Sequence, residues 1–418
     1  MATAGRHTAD PADFMNIETH TVQAPGVNAM DDIKNLVAAH KDAYVRTRRD
    51  LHRIPEPAFT EKKTSAYVAE YLKQEGLPIM TGIAKYGVVG LLETGKPGKT
   101  LMLRSDIDAL PIKEETGLSF ASTHEGAMHA CGHDGHMSMV LGAATVLNQL
   151  KDKLSGTIKF IFQPAEEGPG GAKPMIEEGV MESPHVDYAF GCHLWPNSPE
   201  GIIGVKDGPL MAAMDRFDLK IIGRGGHGAM PHLCIDALDV GTQVVNALQR
   251  IVSRHMNPLS PTVVTVGRFA AGSTFNIIPA EAEMCGTTRT FNREIWSSWP
   301  ERIEQVVRGV CEAMGAKYEL KYSQGYPPLH NNAEMSEIVR QCAIQAVGEA
   351  RVVMPEPTMG GEDMSFFLEK AKGCFFFLGV GRKGGAPIHN SKFDFNEDVL
   401  ALGVETYCRI AMELLSAP

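Results

Sequence analysis

The chain has 418 residues, 44% hydrophobic and 22% charged, with a formal net charge of -10. That length exceeds the ~250–300 residues at which a single core stops growing, so two domains are expected. The negative balance, with Lys and Arg scattered rather than blocked, argues against a nucleic-acid partner or an anionic membrane surface. Residues 1–30 are polar and lack the charged start and apolar core of a signal peptide, which reads as a flexible extension. No run approaches the ~18 apolar residues of a membrane helix. Eight cysteines without a CxxC pair suggest reduced thiols and a cytoplasmic protein.

A helix is predicted over Asp31–His52, ended by Pro55 and Pro57, and a second, amphipathic one over Thr64–Glu75. Gly87–Leu92 and Thr100–Leu103 are short apolar runs that fit buried strands. The second run leads into Arg104-Ser-Asp-Ile-Asp-Ala-Leu-Pro111, which puts Asp106 and Asp108 where open α/β sheets hold their ligands. A solvated strand end is the plainer alternative.

Met128-His-Ala-Cys-Gly-His-Asp-Gly-His136 follows, a loop in which Cys131, His133 and His136 combine one soft sulfur with two imidazoles. Borderline transition metals favour that mixture, although short His-rich turns also occur without metal. Val140, Ala143, Ala144 and Leu147 then fall at helical spacing, so the loop discharges into a helix.

The strand Thr157–Phe162 runs into Gln163-Pro-Ala-Glu-Glu-Gly168. Adjacent carboxylates repel, and directly after a buried strand they need a cation or protons. If one of the two ligates metal, its neighbour is placed to act as general base. Two more apolar strands, Asp187–Cys192 and Cys374–Val380, precede His193 and His389. A lone histidine is usually structural, but several strands ending in metal-competent groups shift that weighting.

From residue 201 to about 325 the pattern changes to β-α-β-β-α-β: Arg216–Gly223, a helix with Val240, Val244, Leu248 and Ile251 on one stripe, Thr262–Phe269, Ala280–Thr290, a helix over Arg293–Met314, and Tyr318–Tyr322. The expected fold is therefore α/β, a catalytic domain with a central mixed sheet built from 31–208 and 325–418 and interrupted by an inserted α+β lid over 209–324. Collected, the candidate ligands are Cys131, His133, Glu167, His193 and His389, with Glu166 beside them. Five ligands exceed one tetrahedral ion, so two ions sharing a bridging group is the better fit. Asp106 and Asp108 would orient an imidazole or the base.

The four motifs Arg104–Pro111, Met128–His136, Gln163–Gly168 and Gly225-Gly-His-Gly-Ala-Met-Pro-His232 together resemble the M20 metallopeptidase family. The similarity is to its amidohydrolase branch, which includes hippurate hydrolase, aminoacylases and auxin-conjugate hydrolases, and it spans residues 35–415. The resemblance implies a two-metal α/β domain and a lid that also forms a homodimer contact. It assigns Cys131, His133, Glu167, His193 and His389 as ligands and Glu166 as base. It further implies that His227 reaches the partner subunit's active site to stabilise the oxyanion, that Asn276 and Arg289 hold the substrate carboxylate, and that Gly361 shapes the pocket. Manganese, zinc, nickel or cobalt could serve; this branch often uses manganese, while thiolate plus imidazoles also suits zinc. The expected reaction is hydrolysis of N-acyl amino acids, with a dipeptidase or carboxypeptidase as the rival and a non-catalytic metal-dependent binding protein as the remote alternative. The Cys-x-His loop favours the first.

Overall fold

The computed structural model of the chain describes residues 27–417. The extension expected over 1–30 lies outside them except for its last four residues, where the helix Val27–Ala39 begins. The body is an eight-stranded mixed sheet in the spatial order Ile79–Ile83, Gly87–Glu93, Thr157–Gln163, Thr100–Asp106, Tyr188–Pro199, Lys372–Gly381, Ile203–Gly204, Val352–Val353. Its four central strands are parallel, so their connections must cross the sheet, and the helix His133–Gln149 makes the first crossover.

Alternation along those strands builds a core on each face. Leu101, Leu103, Phe160, Phe162, Phe190, Phe376 and Leu378 join one cluster with the long helices, including His133–Gln149 and Val399–Leu415. Met102, Ile161, Ala189, Phe375 and Phe377 join the other, under the short helices Ala172–Glu177 and Met364–Leu368. The result is a helix–sheet–helix sandwich.

A second, antiparallel sheet has the order Thr262–Ala271, Glu281–Thr290, Ala213–Ile222, Lys317–Tyr326. The helices Ala237–Arg250 and Arg293–Met314 cover one of its faces, burying Val240, Val244, Leu248, Trp299, Ile303 and Val307 against Phe217, Leu219 and Ile221. Each helix starts at a side chain that accepts from its first turn: Asp236 from Leu238 N, and Asn292 from Ile295 N. This unit is called the lid below. A two-stranded ribbon, Gly208–Met211 with Leu329–Asn331, flanks its junction with the body. The Arg293–Glu369 ion pair and a 3.0 Å contact from His330 Nε2 to the Phe291 carbonyl also bridge the two parts.

Two predicted elements differ. The helix expected over Asp31–His52 is two helices, Val27–Ala39 and Lys41–His52, because His40 leaves helical dihedral angles. Each half can then turn its own residues inward, Ile33 and Val37 from the first, Tyr44 and Leu51 from the second. The strand expected to stop at Cys192 continues to Pro199, since pairing with Lys372–Gly381 extends its ladder. His193 therefore lies inside a strand and not beyond one.

Candidate metal centre

The carboxyl halves of the parallel strands converge on one buried cluster, where open α/β sheets place their ligands. Strand Thr100–Asp106 delivers Asp106 and, two residues on, Asp108, both buried. Cys131 and His133 flank Gly132, whose φ of 89° makes the turn into the helix His133–Gln149. The positive end of that helix favours a thiolate beside it. Strand Thr157–Gln163 leads to Glu166 and Glu167, and His389 stands at φ 62°, its N–H bonded to the Ala130 carbonyl at 2.7 Å.

Cys131 Sγ lies 3.4 Å from His193 Nε2. His389 Nε2 is 3.1 Å from Glu167 Oε1, and His133 Nε2 is 3.9 Å from the same oxygen. Two sets of donor atoms result, Cys131 with His133 and His193, and Cys131 with Glu167 and His389, the atoms of each within 4.8 Å of one another. They share Cys131. All five candidate ligands are thus brought together, with Glu166 adjoining in a further set with His133 and Glu167.

The imidazoles are held in the orientation a metal requires. His133 Nδ1 donates to the Asp108 carbonyl at 2.9 Å and His193 Nδ1 to the Leu194 carbonyl at 2.8 Å, which turns each Nε2 toward the cluster. His133 Nε2 is buried without a hydrogen-bond partner. A bound cation would satisfy it. His136 is different: Nδ1 meets Asp106 Oδ1 at 2.7 Å and Nε2 accepts from Leu194 N at 2.9 Å, so both nitrogens are committed. Its place in the loop is structural, although the sequence presents it on equal terms with His133.

The charges also call for a cation. Burial pulls His133 down, but Asp106, Asp108 and Glu167 lift it to about 10. Burial together with the Glu167 and Glu166 charges holds the Cys131 thiol well above its ordinary range. Burial, then Glu362 and Glu167, push Glu166 well up. Burial raises Glu167 as well, yet His389 and His133 bring it below the usual carboxylate value. Burial and the neighbouring His136 keep His193 neutral and so free to coordinate. Divalent ions would reverse this logic, deprotonating the thiol and the imidazole. The residues therefore fit a pair of such ions.

Asp108 serves two neighbours, His133 through its carbonyl and Glu167 N through Oδ2 at 3.0 Å. Asp106 holds His136 and accepts from Arg104 Nη1 at 3.0 Å. The lid candidates are scattered more widely. Arg289 lines a cavity of about 720 Å³ between body and lid, with Gly168, Met214, Thr287 and Tyr326, and its Nη1 is buried without a partner. Asn276 does not line that cavity; its carbonyl accepts from Gly228 N at 2.9 Å, beside His227. His227 is exposed, its Nδ1 accepting from Ala229 N at 3.0 Å in its own turn. Gly361 packs against the lid, where a Cβ would come 2.7 Å from Met214 Cβ.

Further residues complete the site, some of them inside the motifs and two, Glu61 and Tyr326, outside them. Arg104 Nη2 reaches Asp363 Oδ1 at 2.9 Å and Glu362 Oε1 at 3.1 Å, and Asp363 also accepts from Gln163, Gly171 N and Ala172 N. Glu61 Oε1 accepts from Ala165 N at 2.9 Å. Tyr326 donates its hydroxyl to the Glu166 carbonyl at 2.6 Å. Nothing local in the sequence marked Glu61 or Tyr326.

An α/β body whose parallel central strands end in a largely buried thiol–imidazole–carboxylate cluster, together with a separate lid, defines a two-part metallohydrolase architecture. The description of peptidase family M20/M25/M40 matches residues 102–413, and the chain belongs to that family. It is 47% identical over 305 residues to an N-acyl-L-amino acid amidohydrolase of Geobacillus stearothermophilus, covering 73% of this chain and 82% of that one. It is 41% identical over 394 residues to thermostable carboxypeptidase 1 of Saccharolobus solfataricus, covering 93% and 99%. Among solved structures, the Bacillus subtilis YXEP protein, described as a dinuclear metal-binding peptidase of the M20 family, superposes with a TM-score of 0.76 at 36% identity, covering 90% and 98%.

Proposed function

We propose that the protein is a metal-dependent amidohydrolase that cleaves N-acyl amino acids to a carboxylic acid and a free amino acid. The observation that carries this reading is the pair of ligand triads sharing Cys131 beside the buried Glu166. Cys131, His133, Glu167, His193 and His389 would hold two divalent ions, with manganese or zinc favoured and nickel or cobalt also compatible with the donors. When bound, such ions polarise the scissile carbonyl and acidify water.

Glu166 takes a proton from the attacking water as its oxygen bonds to the acyl carbon. As the C–N bond breaks, the same carboxyl gives that proton to the leaving amine. Asp108 keeps His133 and the Glu167 backbone in register with this exchange. Arg289, which lines the cavity and has an unpartnered buried Nη1, pairs with the substrate's carboxylate, and Gly361 keeps the cavity wall close to Met214.

His227 lies on the ribbon Gly226–His227 paired with Ile277–Ile278, and Asn276 directly precedes its second strand. Both would act on the partner subunit's site in a homodimer formed through the lid, His227 stabilising the oxyanion and Asn276 contacting the carboxylate. Phe275 and Ile277 beside them are exposed apolar side chains, which favours such a contact. No helix among the described residues is long and apolar enough to cross a membrane. The eight free cysteines support a reducing, cytoplasmic setting.

The Saccharolobus relative keeps a peptidase reading alive. Hydrolysis of N-acetyl-, N-benzoyl- and indole-acetyl-amino acids beside dipeptides, on chelator-stripped enzyme with and without Mn²⁺ or Zn²⁺, separates the two. Metal-restored release from an acyl class is expected; restored activity on dipeptides alone would assign the peptidase reaction.

A further inference from the structure

The three residues Ala165, Glu166 and Glu167 are held by side chains from three distant parts of the chain, each bonded to a successive backbone position. Glu61 Oε1 takes the Ala165 N–H, Tyr326 Oη donates to the Glu166 carbonyl, and Asp108 Oδ2 takes the Glu167 N–H. Ala165 itself sits at φ 56°, a conformation L-residues adopt only when their surroundings impose it. Two of these supports belong to the body. Tyr326 does not: the lid strand Lys317–Tyr326 runs past the boundary at 324 expected from the sequence, because Tyr326 still pairs with Met214.

Tyr326 is also where the lid's two connecting segments are fastened together. It pairs with Met214 at the start of the strand Ala213–Ile222, and the adjacent Gly325 N donates to Asp215 Oδ1 at 2.9 Å. A Cβ at Gly325 would meet the Met214 carbonyl at 2.1 Å, so only glycine allows that approach. Buried Asp215 further accepts from Tyr322 Oη at 2.7 Å and from Trp296 Nε1 at 2.9 Å, tying in the lid helix. On the body side the Tyr326 ring packs edge-on to Phe366 at 6.3 Å and fits over Gly170, where a Cβ would come 2.7 Å from Cε1. The ring is thus seated in the body while its backbone belongs to the lid.

We propose that Tyr326 is a positioning residue that braces the Glu166 backbone from the lid hinge, coupling the lid's position to the placement of the general base. This rests on the reading of Glu166 as that base. A misplacement of a reacting group on the order of 1 Å can cost about a hundredfold in rate, so a hydrogen bond that fixes its backbone has leverage out of proportion to its strength.

The test is Tyr326→Phe in the metal-loaded enzyme, which keeps the ring and its packing and removes only the hydroxyl. The expected result is a kcat at least about tenfold lower with KM within about twofold and metal content unchanged. Hydrogen exchange of the peptide spanning residues 163–171 should speed up while the helix Val399–Leu415 keeps its protection. An unchanged kcat, a rise in KM alone, or a fall in Tm without a fall in kcat would each overturn the proposal. If the wild type hydrolyses no substrate in the panel, the functional reading fails separately, and exchange decides: faster exchange confined to 163–171 keeps the brace, and unchanged exchange removes it.

Discussion

His133 and His193 are buried, each with Nδ1 fixed by a backbone carbonyl, whereas His227 stands exposed with one bond to its own turn. Both regions are glycine-rich and carry histidine, yet the body fixes these two imidazoles completely, leaving only His389 exposed beside Glu167, and the lid leaves its own with almost no support. Under the proposed function, the difference divides the work between the two regions. A metal centre needs ligands preset within a few tenths of an ångström, which only a packed interior provides. A group that completes the site from elsewhere must remain accessible until it docks.

Four substitutions bear on this contrast. Glu166→Gln should lose about 10³-fold in kcat yet keep its metal content, checked by elemental analysis; retained activity would remove Glu166 as base. His227→Ala should lose about 10²–10³-fold, as for an oxyanion donor. Mixing that variant with Glu166→Gln and allowing subunits to exchange should restore about a quarter of wild-type activity, because half of the re-formed dimers are mixed and each holds one intact site. No recovery would place His227 outside the partner's site.

The third concerns the packed side alone. Burial lowers His52, but its bonds to Asp134 and Glu114 lift it to about 8, against an ordinary value of 6.5. A raised folded value means that this contribution is fully present below about pH 6.5 and is lost as pH climbs through about 8. It is on the order of 2 kcal/mol. Denaturant unfolding from pH 6 to 9 should show the stability advantage of wild type over His52→Gln shrinking by that amount, since every other titrating group is common to the two proteins; parallel curves would refute the pairing. The smallest effect is expected on the lid surface: Lys220→Ala, which removes the exposed pair with Glu281, should leave Tm and kcat unchanged within error.

The lid's order of elements was readable because its helices and strands keep strict periodicities, Val240, Val244 and Leu248 against alternating Phe217, Leu219 and Ile221. The metal loop was readable because Cys131 and His133 lie within three residues. What escaped the sequence depends on contacts far along the chain. His136 is a hydrogen-bonding residue only because Leu194 N and Asp106 arrive from two strands. Glu61 and Tyr326 act on backbone atoms 104 and 160 residues away, and a backbone contact leaves no residue pattern at either end. His193 fell inside its strand because the neighbouring ladder, which no local signal reports, extends past Cys192.

The claim on which the rest stands is that Cys131 joins two triads, each holding one divalent ion. Titrating chelator-stripped enzyme with Zn²⁺ or Mn²⁺ by calorimetry, while following amino-acid release from an N-acyl substrate, tests it directly. The expected result is two ions per chain, activity completed with the second, and both lost in Cys131→Ala. A single ion per chain, or full binding in that variant, would contradict it.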